Sequence, residues 1–149
     1  MASTVTASTL TVTIKEDIDL NGQSYGSVNT LKIPSINEVS TRIMNVATGG
    51  TNVLAFAGAT TKGTYHDTDV RYIRITNLDD TNYGVIDITG GGTTGVRLDP
   101  GASFSLIATS GNGVNTFIDG GGTTIANMTA IDIVANTAGI DVEVYVATI

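Results

Sequence analysis

Cysteine and tryptophan are absent from this chain of 149 residues, and His66 is its single histidine. The chain therefore has neither a disulfide framework nor thiolate chemistry. A serine–histidine–acid triad would have to use His66, and the Gly-x-Ser-x-Gly motif of serine hydrolases is missing. Because these absences leave little for catalysis, we expect that the protein is not an enzyme.

The sequence also has few basic residues: seven Lys and Arg stand against fourteen Asp and Glu, which gives a formal charge of −7. Nucleic-acid binding depends on clustered Lys and Arg, so this balance argues against a nucleic-acid partner. No stretch approaches the roughly 18 apolar residues of a membrane span. The first residues lack the basic and apolar regions of a secretion signal. We therefore expect folding in a cytoplasm and no membrane partner.

Residues that favour β-strands dominate the amino-acid composition. Thr, Ile and Val are abundant, and eighteen glycines provide turn positions against only two prolines. Only 14 % of the residues are charged, but 41 % are hydrophobic, which is enough to build a core. Thr, Ser and Asn must then cover much of the surface, which suits a protein that lies against neighbours in an assembly.

Alternation of apolar and polar residues is clearest near the C-terminus. The segment 140–146 places isoleucine or valine at every second position, which is typical of a strand with one buried face. Residues 131–135 alternate in the same way, and residues 136–139 are typical of a turn. The pattern predicts that these two strands pair as a hairpin.

Further strands are predicted wherever shorter alternating segments lie between turn residues. They are 9–14, 28–33, 41–47, 52–57, 70–78, 83–89, 96–98, 103–108 and 114–118. At most one short helix fits, at 125–130. Short strands with turns every eight to twelve residues predict an all-β fold with one antiparallel β-sandwich domain over residues 1–149. We expect a jelly roll of about eight to ten short strands.

Two glycine-rich stretches were considered as functional motifs. Residues 90–95 match G-x-G-x-x-G, but the dinucleotide fingerprint needs a helix next, and a strand and a turn follow here. The related stretches 88–94 and 118–124 both read Ile-x-Gly-Gly-Gly-Thr-Thr, which we interpret as shared turn chemistry. We expect loops at both places and no cofactor.

The segment 66–69, His-Asp-Thr-Asp, is the most metal-like cluster. A polar loop whose Asp side chains cap the backbone is the favoured interpretation. Asp132, Asp141 and Glu143 could act as paired carboxylates in glycoside hydrolysis, but they alternate with apolar residues as a solvated strand face does. We therefore assign no catalytic, cofactor-binding or metal-binding residue.

Two arginines on one predicted strand were tested as a phosphate-binding pair. Arg71 and Arg74 lie three positions apart, which places them on opposite faces of the strand. They are expected to pair with surface acids within or between subunits.

The order of the strand and turn segments resembles that of small virion proteins of tailed bacteriophages, namely capsid decoration (cement) proteins and head-fibre or tail accessory proteins. The segments that carry the resemblance are 10–14, 19–22, 70–79, 83–88, 96–106 and 131–148. It implies a jelly-roll fold and a non-enzymatic structural role in the virion. It also implies a homo-oligomer, with a trimer favoured, bound to the major capsid protein or other virion proteins.

Two alternatives stay open beside capsid decoration. One is a tail or fibre accessory protein, and the other is a carbohydrate-binding β-sandwich module. Carbohydrate sites usually present exposed aromatic side chains, and Tyr65, beside His66, is the most suggestive of the five tyrosines. The Ser- and Thr-rich residues 1–9 predict either a flexible arm that becomes ordered on a capsid or neighbour, or a frayed terminus.

Overall fold

The computed structural model describes residues 4–58, 62–90, 93–109, 111, 113–114, 116–118 and 125–149. Within these ranges the backbone forms strands and turns and no helix. The strands are β1 (Ser8–Glu16), β2 (Asp19–Leu20), β3 (Gln23–Ser24), β4 (Ser27–Ile36), β5 (Glu38–Val46), β6 (Thr51–Ala57), β7 (Tyr65–His66), β8 (Val70–Asn77), β9 (Gly84–Thr89), β10 (Thr93–Leu98), β11 (Ser103–Ile107), β12 (Thr116–Ile118), β13 (Ile125–Asn127), β14 (Ala130–Ala135) and β15 (Ile140–Thr148).

Two sheets form the body of the molecule. The first sheet has the strand order β11-β8-β15-β5, and the second has the order β10-β9-β14-β6-β7. All pairs in them are antiparallel except the short β6–β7 pair, which is parallel. The two inner faces share one buried cluster of isoleucine, valine and leucine. The prediction of an all-β sandwich is confirmed.

The eight long strands of these sheets pair in a nested order. Numbered along the chain as β5, β6, β8, β9, β10, β11, β14 and β15, the first pairs with the last (β5–β15) and the second with the seventh (β6–β14). The third pairs with the sixth (β8–β11), and the two central strands pair with each other (β9–β10). Successive pairs of this nested order alternate between the first sheet and the second sheet.

Alternation in the sequence decides which side chains enter the core. Val142, Val144 and Val146 of β15 are at most 2 % exposed, and Ile131 and Ile133 of β14 are fully buried. Each such side chain contributes about 1.5–3 kcal/mol relative to an exposed one. The intervening residues of both strands face outward, as the period of two requires.

The predicted hairpin between residues 131–135 and 140–146 is wrong. β14 pairs with β6 and β9 in the second sheet, whereas β15 pairs with β5 and β8 in the first. Residues 136–139 therefore connect the two sheets across the end of the sandwich. Both strands bury an apolar face, and a period of two shows only that each has such a face. It does not show whether the strands lie side by side or face each other.

Other predicted elements compare as follows. Residues 125–127, where a short helix was considered, form β13, which pairs with β12. Of the first glycine-rich stretch, predicted as a loop, Thr93, Thr94 and Gly95 belong to β10 and pair with β9, and residues 91–92 lie outside the described residues. Most of the second stretch, residues 119–124, lies outside the described residues. Among the residues that the structure describes, no helix is long and apolar enough to cross a membrane.

A separate hairpin of β1 and β4 covers the outer face of the first sheet. Its residues Ile33 and Ile36 are buried against Tyr72 of β8 and Ala147 of β15. The pairing of β1 with β4 shifts between Ser8 and Leu10, which marks a bulge or irregularity. Of the residues predicted as an N-terminal arm, Ser8 and Thr9 belong to β1, and residues 4–7 precede it without strand structure.

Candidate functional site

The hairpin of residues 8–36, here called the hairpin arm, is half anchored and half exposed. At its base Leu10, Val12 and Leu31 are partly buried beside the buried Ile33. Beyond the base, every residue from Thr13 to Thr30 is exposed. The distal half of the arm therefore makes no core of its own in the single chain.

Large apolar side chains occupy this exposed half. Their exposed fractions are 49 % for Ile14, 46 % for Ile18, 52 % for Leu20, 63 % for Tyr25 and 64 % for Val28. Single exposed apolar residues are ordinary, but several within one projecting segment are typical of a surface that contacts another molecule.

Local chemistry holds the tip of the arm in shape. Asn21 and Gly22 both have positive φ, 55° and 77°, as a two-residue type I′ hairpin turn requires. The carboxylate of Asp19 accepts a 2.9 Å hydrogen bond from the Gly22 N–H. Lys15 and Asp17 form an exposed ion pair at 3.0 Å. The tip therefore has a defined backbone conformation, which lowers the entropy lost when it binds a partner.

A second exposed apolar surface lies on β5. This strand is the last of the first sheet, and it pairs with β15 on one side and with no described strand on the other. Val39 and Ile43 stand on its outer face, 52 % and 65 % exposed. Arg42 lies on the opposite face and donates to the carbonyl oxygen of Val53 in β6.

His66 lies in an open cleft of about 440 Å³ between β5 and β7. The cleft is lined by Glu38, Arg42, Gly63, Thr64, Tyr65, His66, Asp69, Thr148 and Ile149. The structure therefore places His66 and Asp69, which the sequence groups together, beside Glu38 and Arg42 of a distant segment.

The histidine ring is engaged by its own loop. Its Nδ1 lies 3.0 Å from the hydroxyl oxygen of Thr68, and 3.5 and 3.6 Å from carboxylate oxygens of Asp67 and Asp69. Asp69 accepts from the Thr68 hydroxyl, and Asp67 accepts from the side chain of Asn127. The aspartates were predicted to cap the backbone; the hydrogen bonds described for their carboxylates come from side chains, and the His66 ring accepts a backbone N–H from Thr68 at 3.4 Å.

A metal centre finds no support in this geometry. No group of three or more His, Cys, Asp or Glu side chains converges in the described part of the chain in a way that could hold a metal ion. The carboxylates of the cluster instead accept hydrogen bonds from Thr68 and Asn127.

The three carboxylates considered for glycoside hydrolysis are not brought together. Asp132 lies on β14 in the second sheet, whereas Asp141 and Glu143 lie on β15 in the first. Asp132 accepts from the Asn52 side chain at 2.9 Å, and Asp141 accepts from Asn45 at 3.0 Å. The outer faces of the two sheets point in opposite directions, which separates Asp132 from the other two, whereas Asp141 and Glu143 lie two positions apart on one face of β15.

The arginines lie on opposite faces of β8, as predicted. Arg74 on the outer face forms an ion pair with Glu143, which confirms the expected pairing with a surface acid. Arg71 differs: it is only 8 % exposed and donates to the backbone carbonyl of Thr68 at 2.8 Å. A buried backbone acceptor has taken the place of the expected carboxylate.

The tyrosines divide into one exposed and four sheltered side chains. Tyr72 and Tyr145 form an edge-to-face pair, with 5.7 Å between ring centroids, beneath the hairpin arm. Tyr83 lies under the guanidinium of Arg97 at 3.9 Å, and Tyr65 lines the cleft. Tyr25, on the arm, is the exposed one.

Residues 9–14 and 28–33 were predicted as ordinary strands, and the arm that they form was not predicted. The signal for it was present in Asn21-Gly22, the dipeptide most typical of a tight hairpin turn. The exposure of Ile14 and Val28 had no such signal, since their alternation is the same as that of buried positions.

Comparison with known proteins gives no relative: no family model, curated protein or solved structure matches the chain.

Proposed function

We propose that this protein is a non-enzymatic structural component of a virion, most specifically a capsid decoration protein that binds and stabilises a phage head. The observation that carries the proposal is the hairpin arm, whose distal half exposes five large apolar side chains on a preformed hairpin. Burying these exposed apolar side chains is favourable only when another molecular surface covers them. The expected partner is the major capsid protein or another virion protein.

The strand pairing supports the finer fold assignment. A ribbon folded so that first and last strands pair, then second and seventh, third and sixth, and fourth and fifth, is the pairing of a jelly roll. Viral capsid domains and lectins are among the proteins built on this architecture. This architecture is compatible with both a virion role and a carbohydrate-binding role, and the exposed arm supports the proposal of the first.

The test is co-sedimentation of the purified chain with heads assembled from the major capsid protein of the same genome, with tails as a parallel sample. We expect saturable binding to heads. Leu20→Ser, at the arm tip, should weaken it, whereas Leu78→Ser should not, because Leu78 is equally exposed (48 %) but lies at the turn after β8. Binding to tails alone would favour the accessory protein, and binding to neither would refute a virion role.

The cleft beside His66 supports a second candidate, a carbohydrate-binding module. Its volume of about 440 Å³ lies within the range of small-molecule sites, and it presents the Tyr65 ring together with Arg42, Glu38 and Asp69. Such a set offers hydrogen-bond donors and acceptors to sugar hydroxyls. A glycan array on the wild type and Tyr65→Ala distinguishes this candidate, which is refuted if no glycan binds or if the substitution leaves binding unchanged.

A further inference from the structure

The edge strand β5 is the longest of the edge strands of the two main sheets, and it pairs with no other described strand on its free side. The backbone groups of an edge strand can pair with another chain, and natural proteins usually block this with short strands, prolines, bulges or charged side chains, including inward-pointing ones; glycine also weakens a strand. At the other sheet edges, β7 has two residues, β11 has five and β10 contains Gly95. In the arm, β4 contains Lys32 and Pro34.

Of these devices β5 has one, the inward-pointing charged residue Arg42. Its nine residues, Glu38–Val46, include no proline, glycine or lysine, and they pair with β15 without a shift in register. The charged residue in its middle, Arg42, turns back onto its own sandwich and donates to Val53. Val39 and Ile43 are more than half exposed on the outer face. The strand is long and regular, and its outer face presents Val39 and Ile43 beside the polar residues Thr41 and Asn45.

We propose that β5 pairs antiparallel with β5 of a second copy of this chain, about a two-fold axis at Thr41. In this register Val39 of one copy lies opposite Ile43 of the other, and the reverse pair forms on the far side of the axis. Apolar β-branched cross-strand pairs of this kind stabilise antiparallel sheets. The two four-stranded first sheets become one continuous sheet.

The reciprocal Val39–Ile43 pairs and side-chain size favour this register. Ser40 of one copy faces Arg42 of the other, which leaves room for the larger side chain. A shift of the axis to Arg42 would place two guanidinium groups opposite each other, which is destabilising. The sequence of β5 is thus complementary to itself.

The expected dimer is weak and sensitive to salt. Pairing of one strand buries less than a standard protein interface, so we expect dissociation in about the micromolar range. Each chain carries a formal charge of −7, and screening of this repulsion should strengthen the dimer as salt is raised. This inference does not depend on the proposed capsid role, because it concerns the isolated chain.

The first test is light scattering and analytical ultracentrifugation of the full chain from about 1 μM to about 1 mM. We expect the mass to rise from 15.3 kDa to twice that value. Ile43→Lys should weaken dimerisation about tenfold, because it removes both Val39–Ile43 pairs. Val28→Lys, at an equally exposed apolar position on the arm, should leave it unchanged. A monomer throughout, a trimer, or equal effects of both variants would overturn the proposal.

The second test is a cross-link that reads the register directly. The natural chain has no cysteine, so a single introduced thiol is unique. Thr41→Cys places the thiol of one copy opposite the same thiol of the second copy at the two-fold axis. We therefore expect a disulfide-linked dimer under mild oxidation. Asn45→Cys, on the same face of β5, lies roughly 27 Å from its mate in this register. Cross-linking of Asn45→Cys at the rate of Thr41→Cys would refute the arrangement.

Discussion

Asn77, the last residue of β8, is a buried polar residue that contacts the turn between β8 and β9 and the end of β10. Its Nδ2 donates to the carbonyl oxygens of Asn82 (2.8 Å) and Leu98 (3.3 Å). Its Oδ1 accepts from the N–H of Asp79 at 3.0 Å, and the residue has no exposed surface. The substitution Asn77→Ala removes three hydrogen bonds from backbone groups that tie the ends of β8, β9 and β10 together.

The expected loss in the free energy of unfolding depends on how deeply each of these hydrogen bonds is buried. The bonds to Asn82 and from Asp79 are part-buried, and each contributes about 1 kcal/mol net. The Leu98 carbonyl is buried and would be left unpaired, which adds about 1–3 kcal/mol. We expect Asn77→Ala to lower the free energy of unfolding by about 3–5 kcal/mol, and the melting temperature by roughly 10 °C.

Urea unfolding followed by far-UV circular dichroism measures this loss, since the chain has no tryptophan for fluorescence. The matched control is Asn45→Ala, which removes one exposed 3.0 Å bond to Asp141 and should cost less than about 1 kcal/mol. The reasoning is refuted if the two variants differ by less than about 1 kcal/mol in the free energy of unfolding.

Three further predictions address packing, pH and the arm. A Cβ at Gly84 would lie 2.9 and 3.0 Å from methyl groups of two core isoleucines. Gly84→Ala should therefore lower the free energy of unfolding in urea by about 1–3 kcal/mol. The control Gly49→Ala should lower it much less, because a Cβ there meets nothing within 4 Å. Backbone N–H groups lower the pKa of Asp79 below 3.8, so its stabilisation is present above that pH and is lost as the pH falls through the lowered pKa. Asp79→Asn should therefore flatten the loss of urea stability in acid, and an unchanged acid profile would contradict this. Ile33→Ala should loosen the buried base of the arm and accelerate proteolysis within residues 13–30, whereas an unchanged cleavage rate would show that Ile33 does not anchor it.

Alternation predicted most strands because one face of each sheet is buried. The segments 41–47, 52–57, 70–78 and 83–89 correspond closely to β5, β6, β8 and β9. The pairing partners of each strand could not be predicted in this way, because they depend on which strands share a sheet and which face each other across the core. The error at residues 131–146 has this origin: the buried faces of β14 and β15 oppose each other through the core. The period of two is identical for neighbours within one sheet and for strands of facing sheets.

The contacts of the buried polar side chains also could not be predicted from the sequence. Asn77 stands next to a turn, where asparagine is common, and its partner Leu98 is twenty-one residues away. Arg71 could be placed on the face opposite Arg74, but its burial and its bond to Thr68 depend on the loop that folds over it. Local patterns fix the direction of a side chain, whereas the final partner is a property of the assembled fold.

The exposed apolar residues make sense only when stability and association are separated. The main core draws on both sheets and includes no residue of the hairpin arm, and the smaller core beneath the arm uses only its base. The fold therefore places no demand for hydrophobicity on Leu20 or Tyr25, nor on Ile43 at the free edge of β5. In a chain that works alone, polar residues at these positions would reduce aggregation at little cost in stability. Their apolar character is better explained by surfaces that another molecule covers, as proposed above for the arm and for the edge of β5.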